Sequence, residues 1–364
     1  MSIITVQGAP NIYQCTEGAL KLIPEQVTKQ TFKQGLLIRG EKSWEVAKPF
    51  FEELDLDLKD VIYNGECSFE EVKRIKSIAQ EADYVLAVGG GKVMDLGKAV
   101  ADQLDIPYIL VPTLASNCAP WTPLSVFYDE DGNFIKYTIF SKGAFMVLVE
   151  PKIIINSPVP YLTAGIADTI AKWYEADVLS RELEPKPITV EIALHAAKLC
   201  RDALLDEGRS AVEALHKGEV TSSFVRVVET IIMAGGMVGG YGDKYGRIAG
   251  AHSIHNGLTH VEETHAYLHG EKVAYGILVQ LALEKNFDEI EKLLPFYADL
   301  KLPVTLAQLG VGEGRLEAAM ETTARLSTKE GESIRLMNVT EPSQVVTAIN
   351  ELEQFIKEKQ PSHS

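Results

Sequence analysis

The sequence predicts a doubly wound α/β half followed by an all-α half. Between Gly35 and about Glu150, short β-rich apolar runs alternate with amphipathic stretches, the pattern of βαβ units around a parallel sheet. Beyond Pro158 these runs give way to long stretches rich in Ala, Leu, Glu and Lys, with a helical period of about 3.6 residues. A tight boundary near Ser157–Pro160 divides the chain into residues 1–157 and 158–364, and the cleft between two such halves commonly holds small molecules.

In the first half the strand candidates are Gly35–Arg39, Val61–Tyr63, Tyr84–Val88 and Tyr108–Pro112. Each is short and apolar, and ends at or close to Gly or Pro. Ser43–Leu54, Ser68–Ala82 and Lys92–Leu104 carry helical spacing, and Ser68 followed by Glu71 predicts a capping box. In the second half the helix candidates are Tyr161–Ser180, Pro187–Leu205, Ser222–Gly239, Gly246–Leu258, Gly270–Leu283, Phe287–Leu300 and Glu341–Lys359. The tail Gln360–Ser364 reads as disordered.

Charge narrows the function classes. With 35 Lys+Arg against 51 Asp+Glu, the 364-residue chain carries a formal charge of −16, and no basic patch is dense enough to neutralise a row of phosphates. A nucleic-acid or anionic-membrane partner is therefore not expected. Cys15, Cys67, Cys118 and Cys200 are far apart and without CxxC pairing, so they read as free thiols. The N-terminus lacks a basic start and an apolar core, and the most apolar stretch, Phe145–Ile155, is broken by Glu150 and Lys152. A cytoplasmic protein acting on a small molecule is expected.

The run Tyr84-Val-Leu-Ala-Val-Gly-Gly-Gly-Lys-Val-Met-Asp95 takes a buried strand through three glycines into a helix. Glycines let a ligand approach the backbone closely, and the helix N-terminus offers free N–H groups, so an anion such as a pyrophosphate fits this turn. It matches neither standard nucleotide fingerprint, and tight strand-to-helix packing alone would also explain the glycines. Asp95 would place a carboxylate near that anion, so it suits a ribose or amide contact better. Pro112-Thr-Leu-Ala-Ser-Asn-Cys-Ala-Pro-Trp-Thr-Pro-Leu-Ser125 reads as a rigid ligand loop after a second strand, beside the glycine turn if the two strands are neighbours.

Five of the eight histidines, His252, His255, His260, His265 and His269, fall within eighteen residues. His252 and His269 lie on two segments that can converge, and two imidazoles bind a metal weakly without a carboxylate. Asp168, among small and apolar residues, is costly to bury unpartnered. A divalent cation held by Asp168, His252 and His269 with one position open matches a catalytic site. His255, three residues from His252 on nearly the same helix face, is with metal-bound water a candidate proton donor, and a satisfied core histidine would also explain it. His260 and His265 read as surface residues.

Taken together, these stretches resemble the iron-containing alcohol dehydrogenase superfamily, in its glycerol-dehydrogenase-like branch, over nearly the whole chain. Gly89–Asp95, Pro112–Ser116, Gly165–Asp168, His252–Gly257 and His269–Val273 occur in family order and spacing. The resemblance implies a Rossmann-like dinucleotide domain, a C-terminal helical domain in a dehydroquinate synthase-like architecture, and a divalent metal near the nicotinamide. It also implies homo-oligomeric assembly. Carried over by position, Asp168, His252 and His269 would be metal ligands. Gly90, Gly91, Lys92, Asp95, Thr113, Ser116, Thr122, Leu124 and Tyr128 would line NAD(H) or NADP(H).

Two departures refine the expectation. Iron-binding relatives usually carry a histidine four residues after the ligand aspartate, where this chain has Lys172, which favours zinc over iron. Glycerol dehydrogenases carry an aspartate in the substrate loop where this chain has Cys118, and the segment looks closest to the hydroxycarboxylate dehydrogenases, implying 2-oxo acid substrates. Removing an anionic side chain removes repulsion against a substrate carboxylate. Glycerol or another polyol is the alternative substrate. A dehydroquinate synthase-type cyclisation would need added basic pocket residues that are not seen, and an intact turn and triad argue against a vestigial site. The resemblance to the hydroxycarboxylate dehydrogenases implies NADPH, but Glu41 would bond a ribose 2′-hydroxyl and favour NAD(H), whereas Arg39 and Lys42 would hold a 2′-phosphate.

Overall fold

The computed structural model describes residues 3–79, 81–130, 132 and 134–359; the tail expected to be disordered, 360–364, lies outside the described residues. Eight strands are present: β1 Ile12–Cys15, β2 Gly35–Arg39, β3 Leu58–Ile62, β4 Tyr84–Gly89, β5 Tyr108–Pro112, β6 Leu124–Tyr128, β7 Phe134–Ile139 and β8 Met146–Val149. Six of them form one parallel sheet in the order β1-β8-β5-β4-β2-β3, while β6 and β7 pair as a separate antiparallel hairpin. All four expected strands form, with β3 displaced to begin at Leu58.

Four strands, β1, β6, β7 and β8, are not among those the sequence predicts. β1 is a short edge strand, only partly buried, so it shows no clear alternation. β8 is the buried segment Met-Val-Leu-Val inside the stretch noted only for its apolarity, because four consecutive apolar residues carry no period. β7 is almost wholly exposed, so burial left no mark on its residues.

The strand order positions the ligand turn. From β2 the chain moves outward to β3, then crosses back over β2 to reach β4. This reversal sets the carboxyl ends of β2 and β4 side by side, the point where open α/β sheets bind ligands. β4 and β5 are neighbours with Gly89 opposite Pro112, so the glycine turn and the proline-rich loop emerge together. At the other helix boundary in this half, the Ser68 hydroxyl accepts the N–H of Glu71. Glu71 completes no reciprocal box, because its carboxylate accepts from Asn64 N–H and pairs with Arg74.

The remainder is helical. Val159–Ser180, Phe287–Leu300 and Pro342–Lys359 fall close to expectation. The expected Pro187–Leu205 helix begins at Ile188 and runs on to Lys217, where Gly218 in the left-handed region ends it. The expected Ser222–Gly239 helix passes through a π-helical turn at Thr230–Ala234. The expected Gly246 start moves to Gly250, because Ala249 leaves helical geometry. Leu22–Lys29 and Leu316–Ser327 are helices the periodicity did not single out.

One apolar core runs through both halves, from Leu36 and Val85 in the sheet to Ile166, Ile254 and Val273 in the helices. The helical segment Ser222–Tyr245 has the length and apolarity to cross a membrane, and 67% of its most apolar window is buried inside the fold. Phe145–Ile155 is thus not the only long apolar stretch. All four cysteines are free.

Candidate metal centre and cofactor cleft

Three separate helices deliver the triad. Asp168 lies within Val159–Ser180, His252 near the start of Gly250–Leu258, and His269 at the first position of His269–Leu283. Asp168 Oδ1 sits 3.1 Å from His252 Nε2 and 3.2 Å from His269 Nε2, and one ligand atom from each residue falls within 4.8 Å of the others. The carboxylate is buried at 5% side-chain exposure, whereas His269 is 46% exposed. The group is therefore open on one side, as a catalytic metal site needs.

Two glycines bring the backbones close enough. A Cβ on Gly270 would stand 1.9 Å from the Ala164 carbonyl oxygen, and one on Gly165 would stand 2.1 Å from that of Ala115. The Asp168 helix is thus pressed against the His269 helix on one side and the ligand loop on the other.

Electrostatics tie the triad together. Burial by itself would raise the Asp168 pKa, but hydrogen bonds from His252 and His269 and the charge of Lys172 hold it well below the usual carboxylate range. Burial would lower that of His252, yet Glu175 and Asp168 outweigh it and push the imidazole up to about 10. One buried carboxylate and two convergent imidazoles are a donor set that fits a divalent cation, which would take the place of that proton.

Glu175 is a residue the sequence reading did not assign to the site. It is 1% exposed, and its Oε2 lies 2.7 Å from His252 Nδ1, the carboxylate behind a ligand histidine that fixes its tautomer. The signal was present as helical spacing, since Glu175 stands two turns beyond Asp168 on the same helix.

His255 stands behind His269. Its Nε2 lies 2.9 Å from His269 Nδ1, its Nδ1 lies 3.1 Å from Asn256 Oδ1, and Asn256 in turn donates to Glu332. Burial first, then the charges of His269, His252 and Lys272, holds its pKa well below that of a free imidazole. Both ring nitrogens are thus engaged, one with His269 and the other with Asn256. His260 and His265 are exposed.

The cofactor candidates converge on the sheet edge. Gly90 precedes the helix Gly91–Leu104, and Thr113 N–H donates to the Gly89 carbonyl at 2.9 Å. The Thr113 hydroxyl is buried without a protein partner, the kind of orphaned group a bound ligand satisfies. Lys92 pairs with Glu66 and stands 5.5 Å from the centre of the Tyr128 ring, joining two of the expected residues. Ser116 backs onto Gly165.

Asp95 is engaged within the protein. It is buried, its Oδ1 pairs with Lys98 at 2.8 Å, and its Oδ2 accepts from Val126 N–H. Its carboxylate is turned into the protein and holds the loop rather than reaching for a ribose. Lys98, fully buried, also donates to the carbonyls of Ala119, Thr122 and Leu124. Thr122 and Leu124 thus owe their placement to a lysine that reads in the sequence as an ordinary helix charge. Glu41 is exposed on the first turn of the helix Glu41–Ala47. Its neighbour Arg39 is taken by a two-point pair with Asp60 at 2.6 and 2.7 Å. Cys118 is partly buried on the ligand loop and lies within electrostatic reach of Lys172.

Residues 10–151 match the family described as iron-containing alcohol dehydrogenase. Hydroxycarboxylate dehydrogenase A of Escherichia coli (strain K12) is 43% identical, over 82% of this chain and 82% of that protein. The chain belongs to the iron-containing alcohol dehydrogenase family. Within the family, a glycerol dehydrogenase of Escherichia coli O6:H1 is 38% identical over 84% of both chains. Among solved structures, the glycerol dehydrogenase of Schizosaccharomyces pombe superposes with a TM-score of 0.87 at 28% identity, covering 98% of this chain and 92% of that one. A probable glycerol dehydrogenase of Sinorhizobium meliloti 1021 gives 0.86 at 29%, covering 97% and 99%. This member of the family is accordingly a metal-dependent alcohol dehydrogenase, with Asp168, His252 and His269 grouped as a metal site would group them, and a sulfoacetaldehyde reductase of Bifidobacterium kashiwanohense with the same fold is solved in complex with NAD+.

Proposed function

We propose that this dehydrogenase interconverts small 2-oxo acids and 2-hydroxycarboxylates with NAD(H). The observation that carries this reading is the ligand loop from Pro112 to Ser125, which holds Cys118 and contains no carboxylate. A loop that is neutral where it faces the substrate accepts a carboxylate without like-charge repulsion. The 43% identical relative named hydroxycarboxylate dehydrogenase A supports it.

Asp168, His252 and His269 would hold the divalent cation, and Lys172 stands where a fourth histidine ligand would be, which favours zinc over iron. When bound, the cation and nicotinamide supply carbonyl polarisation and hydride transfer. The chain's own residues set the geometry. Glu175 keeps the His252 ring turned so that Nε2 faces Asp168, and His255 does the same for His269 through its Nδ1. Delivery of a proton by His255 would require its ring to leave His269. Gly90, Gly91, Lys92, Thr113, Ser116 and Tyr128 would bind the dinucleotide, with Thr122 and Leu124 positioned on the loop. Cys118 would line the substrate pocket. Because Arg39 is held by Asp60 and Glu41 is free beside it, a ribose 2′-hydroxyl suits the β2 edge better than a 2′-phosphate. We place the protein in the cytoplasm, as a homo-oligomer.

The second reading, glycerol or polyol oxidation, rests on the 38% identical glycerol dehydrogenase. The test follows nicotinamide absorbance with metal-reconstituted protein, offering NADH and NADPH with 2-oxobutanoate, 2-oxoglutarate and dihydroxyacetone, and glycerol in reverse. Preferential turnover of the 2-oxo acids, lost on chelation, is expected. If glycerol and dihydroxyacetone win, the substrate assignment fails and the polyol reading replaces it.

A further inference from the structure

Lys172 is a buried cation beside the metal triad. It follows Asp168 by one helical turn, so the two side chains share a face of the helix Val159–Ser180. Lys172 is only 8% exposed. Among the described residues no acceptor lies within hydrogen-bond or ion-pair reach of its ammonium. Lys98 shows what a satisfied buried lysine looks like in the same fold: three carbonyls and a carboxylate surround it. Burial alone would disfavour the ammonium, but Cys118, Asp168 and Glu175 outweigh it and hold the group charged; its N–H donors nevertheless meet no acceptor among the described residues, which at an active site needs a reason.

Its surroundings give the reason. Lys172 is within electrostatic reach of Cys118 on the ligand loop, Asp168 and Glu175 on its own helix, and Cys200 on Ile188–Lys217. From a fourth direction Gly235 approaches, and a Cβ there would stand 3.4 Å from Lys172 Cε. The π-helical turn Thr230–Ala234 immediately before Gly235 resets the phase of that helix. The two nearby acids are already engaged, Asp168 with both histidines and Glu175 with His252 and two backbone N–H groups. The ammonium is therefore within electrostatic reach of both the metal triad and the loop, and meets no hydrogen-bond acceptor among the described residues.

We propose that Lys172 is a specificity-determining residue whose ammonium binds the carboxylate of a 2-oxo or 2-hydroxy acid while the reacting oxygen lies at the Asp168–His252–His269 centre. The assignment rests on the 2-oxo acid reading above and gives it a positive element, since the absence of an acid in the loop only removes repulsion. An uncharged ketone of similar size gains nothing from the ammonium, which makes the charge a discriminator.

The test compares wild type with Lys172→Met, both metal-reconstituted, on 2-oxobutanoate and dihydroxyacetone. The ratio of their kcat/KM values should fall by about 100-fold in the variant, or about 2.7 kcal/mol. A lysine that only supported the fold would lower both values together and leave the ratio unchanged. Calorimetric binding of oxamate to the NADH-loaded protein gives a second readout, expected to weaken by about the same factor in Lys172→Met and to recover in part in Lys172→Arg. Should Lys172→Met fail to fold, Lys172→Gln carries the same comparison. If wild type prefers dihydroxyacetone, the 2-oxo acid reading is overturned, and this assignment with it. If wild type prefers the acid and the neutral variant keeps both the ratio and oxamate binding, the Lys172 assignment alone is overturned.

Discussion

Glu175 grips His252 at two points: its Oε2 lies 2.7 Å from the ring Nδ1, and its Oε1 accepts the backbone N–H at 3.0 Å. The same Oε1 accepts from Ala249 N–H at 2.7 Å, so one carboxylate from a neighbouring helix both caps Gly250–Leu258 and aims its metal ligand. An anionic group at a helix N-terminus is favourable in its own right. Replacing Glu175 by Gln should weaken zinc binding by about 10- to 100-fold, the usual effect of losing such an orienting group. Competition with a chromophoric chelator measures it, and unchanged affinity would show that His252 is oriented by something else.

Chelation should abolish turnover, and added divalent metal should restore it. Asp168→Asn and His269→Ala should be inactive although folded. Because a ligand bound only by the native state stabilises it, metal at about 100 times its Kd should add about 2.7 kcal/mol to wild type. Thermal melts with and without zinc should show that gain in wild type and little of it in either variant.

The metal-free protein should lose stability in alkali below the range where lysines titrate. His252 is raised from 6.5 to about 10 by Glu175 and Asp168 acting against its burial. A group raised on folding contributes fully below its unfolded value, and the contribution disappears as pH rises through the folded one. Urea midpoints of the metal-free protein should therefore decline from about pH 6.5 to 10. Zinc uptake at pH 7 should release a proton, visible as a buffer-dependent binding enthalpy. Midpoints flat across that window would mean that His252 is neutral without metal.

Gly270→Ala should damage the site from outside it. The added methyl meets the Ala164 carbonyl at 1.9 Å, which forces the His269 helix away from the Asp168 helix at a cost of about 1–3 kcal/mol or more. Lower zinc affinity should accompany the lower melting temperature. Gly314→Ala meets nothing within 4 Å and is the control, expected to change neither.

Lys98→Met leaves the Asp95 carboxylate buried and unpaired and deprives three loop carbonyls of their donor. Destabilisation of about 3–5 kcal/mol is expected. Adding Asp95→Leu should recover part of it, because the stranded charge is then gone. A double variant no more stable than the single one in urea would place the loss in the loop carbonyls instead.

The sheet helices, the glycine turn and the histidine cluster were legible because each leaves a local trace. Burial on one face imposes a period, a close approach imposes glycine, and metal ligation concentrates histidines with one acid among apolar neighbours. β1, β7 and β8 left no such trace, being too short, too exposed or too uniformly apolar. The residue pattern predicts that the Ile188–Lys217 helix ends at Leu205, before the charged stretch Asp206–Gly208, which the structure carries through as helix.

By itself the sequence determined that an α/β half with a phosphate-type turn precedes a helical half bearing Asp168, His252 and His269. Residue types and spacings are set by backbone geometry and one-sided burial, which are properties of single elements. Only the tertiary structure decided what the charged residues answer to. Asp95 faces Lys98, Glu175 faces His252, His255 faces His269, and Lys172 has acidic neighbours but no hydrogen-bond acceptor among the described residues. In a helix all of these read as ordinary polar positions, and their roles depend on which distant element the fold brings against them. Coulomb and hydrogen-bond energies fall off within a few ångströms, so partnership is a fact of packing and not of spacing along the chain.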